Sequence, residues 1–216
     1  MRVKRALSVI LNLLMLAGVA ASVLYIVLVR ASGNMAISGT YAFMFFTVDS
    51  NILCALACLL MIPAQLRLQR PPRWLVMFKY VSTVAVAVTL SVVVLFLGPV
   101  MRYDGLFAGA NLYLHLLCPA AAILSLSFFD GGERIGKRGI WLSVLPVIVY
   151  GSVYLTEVVV IGPENGGWAD FYGFNRGGHW YLSFAAMLAG TALLGLILQA
   201  VHDRFCERKR EEEKIR

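Results

Sequence analysis

Six apolar runs, each long enough to cross a lipid bilayer as a helix, constrain this chain more than any motif does. A bilayer core takes about 20 helical residues, and the runs cover residues 6–29, 40–62, 75–98, 111–129, 140–161 and 180–202. Lipid offers backbone N–H and C=O groups no partner, so such runs must satisfy themselves as helices. The expected fold is all-α: a polytopic membrane protein, a six-transmembrane-helix bundle forming one domain over residues 1–203, with a charged tail at 204–216. Composition agrees, with 14% charged residues against about 25% in a soluble domain. The first run, at about 24 residues, is longer than a signal-peptide core of about 7 to 15, so it reads as a retained helix.

The basic residues report orientation. Arg2, Lys4 and Arg5 precede the first run; Arg67, Arg70 and Arg73 join the second to the third; Arg134, Lys137 and Arg138 join the fourth to the fifth. Arg204, Arg208, Lys209, Arg210, Lys214 and Arg216 follow the sixth. The opposite loops carry only Arg30, Arg102 and Arg176, with Lys79 near the basic end of the third run. The positive-inside rule then predicts both termini in the cytoplasm. A net charge of +7 is topology on this reading, and no nucleic-acid partner is expected. The partners are membrane lipids or an acyl-chain substrate; the oligomeric state is left open.

Polar residues inside the runs narrow the search for function, because lipid gives a hydroxyl, amide or acid no water to bond. At about 100° per residue, Thr47, Ser50, Asn51, Cys54 and Cys58 share one stripe of the second helix, with Asp49 on the other side. The fourth helix has a stripe of Asn111, His115, Cys118, Ala122 and Ser125, and the fifth one of Ser143, Pro146, Tyr150, Tyr154 and Glu157. At 1.5 Å per residue, Thr47 falls roughly 10 Å and His115 roughly 6 Å below the outer ends of their runs. Tyr154 and Glu157 share that outer half. The connection at residues 162–178, rich in Gly and aromatics, is either a cover over the bundle's mouth or a plain loop.

A threonine beside a histidine suits nucleophilic hydrolysis: the imidazole takes the hydroxyl proton as the oxygen attacks an ester, then returns it to the leaving alcohol. Asn51, Asn111, Tyr154 and Glu157 are candidates for the group that orients the imidazole. The chain has no GxSxG, HExxH or SxxK motif, and His115 has only distant carboxylates and thiols, so no metal and no cofactor is expected. The four cysteines form no CxxC pair and read as buried thiols.

The segments FFTVDSNIL on the second helix and NLYLHLLCPAAAILSLSFFD on the fourth, with the aromatic, Gly-rich stretch before the sixth, resemble the androgen-induced-gene family of six-helix membrane proteins. The likeness is greatest to that family's compact bacterial members, which implies a bacterial cytoplasmic membrane. Eukaryotic members are threonine hydrolases that cleave fatty acid esters of hydroxy fatty acids. The resemblance implies Thr47 as nucleophile and His115 as base, with Asp49 and the His-Leu-Leu-Cys-Pro context as departures. Ser50, Asn51, Asn111, Cys118, Tyr150, Tyr154 and Glu157 are the expected substrate-binding residues. Two alternatives stay open: a non-catalytic lipid-binding or proton-coupled small-solute transport protein using Asp49, Glu157 and His115, and a thiol enzyme using Cys118.

Overall fold

A computed structural model describes residues 2–28, 39–67 and 70–215. Six helices among these residues are long and apolar enough to cross a membrane. They are α1 (Arg2–Leu28), α2 (Phe46–Leu66), α3 (Arg73–Met101), α4 (Ala110–Phe129), α5 (Lys137–Ile161) and α6 (Trp180–Ile215). No strand occurs among the described residues. Arg30 and Arg216 lie outside them. One end of the bundle carries the chain termini, and the other carries the 162–179 connection; they are called here the terminal end and the loop end.

Two helix bounds differ from expectation in ways that matter. The second helix does not begin at residue 40: Gly39–Met44 forms a 3-10 turn, and the α-helix starts only at Phe46. Thr47 therefore rides its first turn instead of lying roughly 10 Å into it, so it sits at the positive end of the helix dipole. The sixth helix does not stop at 202 but continues through the charged tail to Ile215.

α3 is the central helix, packing against α2, α4, α5 and α6. Its residues 82–89 are buried without a break, and Ser82, Thr83, Ala85 and Ala87 supply the small side chains that let neighbouring helices approach closely. Leucines on the outside of α1 and α6, such as Leu14, Leu24 and Leu193, stay exposed, the pattern that suits helices apolar enough to cross a membrane. Lipid is as apolar as leucine, so burying such side chains gains little there and polar contacts between helices carry more of the specificity.

The densest of those contacts lies toward the terminal end. Lys79 is fully buried, with Nζ donating to Asn12 Oδ1 at 2.8 Å and to Cys58 Sγ at 2.9 Å, and lying 4.0 Å from Asp130 Oδ2. Asp130 Oδ1 accepts from Ser8, Asn12 and Ser125 at 2.8, 2.9 and 2.8 Å. Gln65 of α2 donates to the Asp130 carbonyl. One buried ion pair thus joins α1, α2, α3 and the end of α4. Lys79, near the basic end of the third run, is thus spent inside the bundle on this network.

Candidate functional site

At the loop end a mostly apolar cavity lies among α2, α3, α5, α6 and the 162–179 connection. Thr47, Thr89, Tyr150, Tyr154 and Tyr172 are the polar residues in its wall, and Phe46, Val92, Leu97 and Phe184 are among the apolar ones. Among the described residues the wall holds no lysine, arginine, histidine or carboxylate.

His115 stands behind Thr47, buried and outside the cavity wall. Its Nδ1 lies 2.6 Å from the Leu106 carbonyl and its Nε2 lies 3.4 Å from Thr47 Oγ1. A carbonyl can only accept, so Nδ1 carries the proton and donates it. Nε2 is then a bare lone pair, and the Thr47 hydroxyl must be the donor across the 3.4 Å gap. The order outward from the cavity is Thr47, His115, Leu106. The orienting group is a backbone carbonyl, and none of the four side chains proposed from the sequence fills that place.

Local sequence explains how His115 and Leu106 meet. Pro119 has no N–H to offer the His115 carbonyl four residues back, and the helix answers with a π turn at Tyr113–Leu117 that carries His115. Tyr113–Leu117 is held to α1 by Tyr113 Oη, which donates to the Leu14 carbonyl at 2.7 Å over Gly18, where a Cβ would fall 2.1 Å from the Tyr113 ring. Leu106 is set by the α3–α4 connection, which forms a single helical turn at Tyr103–Leu106 and reverses at Gly109, φ +54°. Arg102 opens that turn at φ +66°, a left-handed conformation that costs a side-chain-bearing residue energy and persists only where its surroundings hold it.

Asn51 fastens the two catalytic-candidate segments together. Its Nδ2 donates to the Thr47 carbonyl at 2.7 Å and to the Leu114 carbonyl, next to His115, at 3.0 Å. Ser50 lies outside the cavity wall, and its Oγ pairs at 2.9 Å with Thr89 Oγ1, whose residue is part of that wall. Tyr150 and Tyr154 line the cavity, and both are committed. Tyr150 donates to the Met44 carbonyl at 2.7 Å, and Tyr154 donates to Asp170 Oδ1 at 2.8 Å. Cys118 lies wholly within the core beside Cys54 and Cys58 and does not reach the cavity. Asn111 and Glu157 also lie outside its wall, and His179 is exposed. Among the described residues no group of three metal-ligating side chains occurs.

The 162–179 connection is folded over the cavity. Asp170 gathers the backbone N–H groups of Phe174 and Asn175 at 2.8 Å each while holding Tyr154, and the Tyr172 N–H donates back to Tyr154 Oη at 3.0 Å. Phe171 packs at a tilt against Phe45 and edge-to-face against Tyr154, with ring centroids 4.8 and 5.0 Å apart. This places Tyr172, which the sequence reading did not single out, in the cavity wall with Thr47. The Tyr172 hydroxyl sits among the Tyr150 and Thr47 side chains and the Phe46 backbone, and desolvation pushes the phenol up to about 12, so it remains a protonated donor.

No family model, curated protein or solved structure matches the chain.

Proposed function

We propose that this protein hydrolyses a lipid ester inside the membrane, with Thr47 as nucleophile and His115 as general base. The observation that carries this reading is the 3.4 Å approach of His115 Nε2 to Thr47 Oγ1 at the wall of an apolar cavity, with the tautomer fixed by Leu106. Catalytic hydrogen bonds are often long before substrate binds and tighten as it does.

In the reaction, Thr47 Oγ1 attacks the ester carbonyl carbon while its proton passes to His115 Nε2. The bond to the alcohol oxygen breaks, and His115 returns the proton to that oxygen. Water then attacks the acyl-Thr47 ester with His115 again as base, releasing the fatty acid and restoring the hydroxyl. General base help of this kind contributes about 10²–10⁴-fold. The first turn of α2 and the Tyr172 hydroxyl put positive dipoles beside Thr47, of the sign that stabilises an oxyanion.

Resemblance to threonine hydrolases of fatty acid esters supports the same chemistry, and fatty acid esters are the substrate class it implies. The loop charges, with Arg102 and Arg176 at one end against the basic clusters at the other, support an orientation with both termini in the cytoplasm and the cavity toward the outer leaflet, and the resemblance to compact bacterial proteins supports a bacterial cytoplasmic membrane.

Thr47→Ala and His115→Ala are expected to abolish ester turnover by protein that stays folded in detergent, and a fluorophosphonate probe is expected to label Thr47. Turnover retained in both variants would sink the reading. So would pH-driven solute uptake into vesicles without labelling, which would assign a carrier instead.

A further inference from the structure

A second depression lies on the other side of the cavity wall. It is an open groove among α2, α3 and α5, lined by Phe43, Leu53, Phe78, Val81, Val149 and Val153, with Trp168 of the 162–179 connection at its rim. Phe46 and Tyr150 belong to both the groove and the cavity, their ring centroids 5.1 Å apart, so this aromatic pair is all that stands between them at that point. Two residues beyond Thr47 on the same helix, the Asp49 side chain lines the groove, half-buried, with no hydrogen-bond partner among the described residues.

A carboxylate left without a partner in an apolar groove at membrane depth is costly, and such groups in membrane helices mark where a polar ligand passes. The chemistry of the surroundings narrows the ligand. Among the described residues no lysine, arginine or histidine lines the groove or the cavity, so none of them offers a partner to a free carboxylate. Asp49 would repel one. A hydroxyl, by contrast, donates to Asp49 and brings no charge into the groove.

We propose that this groove binds a neutral lipid whose head carries free hydroxyls, of the monoacylglycerol class, with Asp49 accepting a hydroxyl and the acyl chain lying along the apolar wall. The assignment rests on the hydrolase reading only in making the bound lipid a substrate. It then narrows the ester from one carrying a free acid to one carrying a polyol, presented to Thr47 past Phe46 and Tyr150.

Binding is read without turnover through Trp168. With Trp74, Trp141 and Trp180 replaced by Phe and Thr47→Ala blocking hydrolysis, the full-length protein in detergent is titrated with a dibrominated monoacylglycerol, the matching dibrominated fatty acid and the matching dibrominated alkylamine. The pH is set so that the acid is ionised. The monoacylglycerol is expected to quench Trp168 at a concentration about tenfold below that of the acid, a gap that one unfavourable charge contact accounts for. In Asp49→Asn, which keeps an acceptor and loses the charge, that gap is expected to close to about threefold or less. Equal quenching by acid and monoacylglycerol, strongest quenching by the amine, or an unchanged gap in Asp49→Asn would each overturn the proposal. Thr47→Ala turnover assays decide the hydrolase reading separately, so the two can fail independently.

Discussion

His115 and Leu106 are locked by a 2.6 Å hydrogen bond from an imidazole Nδ1–H to a backbone carbonyl nine residues earlier, and this bond turns the free ring nitrogen toward Thr47. No side-chain substitution removes a carbonyl, but the turn that presents it can be shifted. Gly98 packs under the Tyr103 ring, where a Cβ would fall 1.9 Å from Cε1, and Tyr103 Oη donates to the Val94 carbonyl at 2.9 Å. Gly98→Ala must displace Tyr103 and with it the 103–106 turn. Turnover is expected to fall by about tenfold at unchanged KM, as for a misaligned base. Nitrogen-15 spectra should show a single Nδ1–H tautomer for His115 in the parent and a tautomer mixture in the variant.

Tyr172 reaches the cavity from the connection that covers it and keeps its proton at any physiological pH. If its hydroxyl meets the oxyanion formed during attack, Tyr172→Phe removes one donor that acts only in the transition state. The expected result is a kcat lower by about 10²-fold with KM little changed. An equal loss of affinity for a non-hydrolysable ether analogue would show instead that Tyr172 binds the ground state.

Asn51 bonds to carbonyls of two helices with one amide nitrogen, and so sets the spacing between the backbone of Thr47 and that of His115. Asn51→Leu keeps the bulk and loses both bonds. The bond to Leu114 is the interhelical one, and such a bond is worth about 0.6 to 2 kcal/mol in a membrane protein, so melting in detergent should come earlier by up to several degrees. Activity should fall more steeply than stability, because the Thr47–His115 gap is already at the outer limit of a hydrogen bond. Asn51→Asp, which also lacks the donor, should behave likewise.

The helices were legible in the sequence because lipid leaves a long apolar run one backbone solution. The stripe that joined Asn111 to His115 was not, since it assumed 100° per residue through α4. A π turn at Tyr113–Leu117 departs from that angle, as does another at Thr156–Ile161, and Asn111 and Glu157 lie outside the cavity wall. Pro119 was the signal for the first of these. The partner of the imidazole could not emerge from any inventory of side chains, because it is the main chain of Leu106. The partner of Lys79 was not legible for a different reason: periodicity gives the face on which a residue lies, not what waits there, and Asp130 comes just after a helix that ends in another part of the chain.

That buried pair yields the sharpest test of the fold itself. Lys79 is fully buried, and its 4.0 Å contact is the charge partner of Asp130 Oδ2, which has no hydrogen bond among the described residues. Removing the cation alone leaves a carboxylate inside the bundle with only neutral donors around it. Lys79→Met is therefore expected to destabilise the protein by about 3–5 kcal/mol, read as a loss of folded protein in a denaturant titration in mixed micelles. Asp130→Asn alone strands the ammonium and should also be costly. The double variant Lys79→Met/Asp130→Asn leaves neither charge behind, so it should be more stable than the sum of the single losses predicts, by about 1 kcal/mol or more. Additive losses would mean that the two groups are held by their hydrogen-bond partners, Asn12, Cys58, Ser8 and Ser125, and that their mutual attraction contributes nothing. Because the pair lies toward the terminal end, away from Thr47, the double variant should retain ester turnover wherever it remains folded.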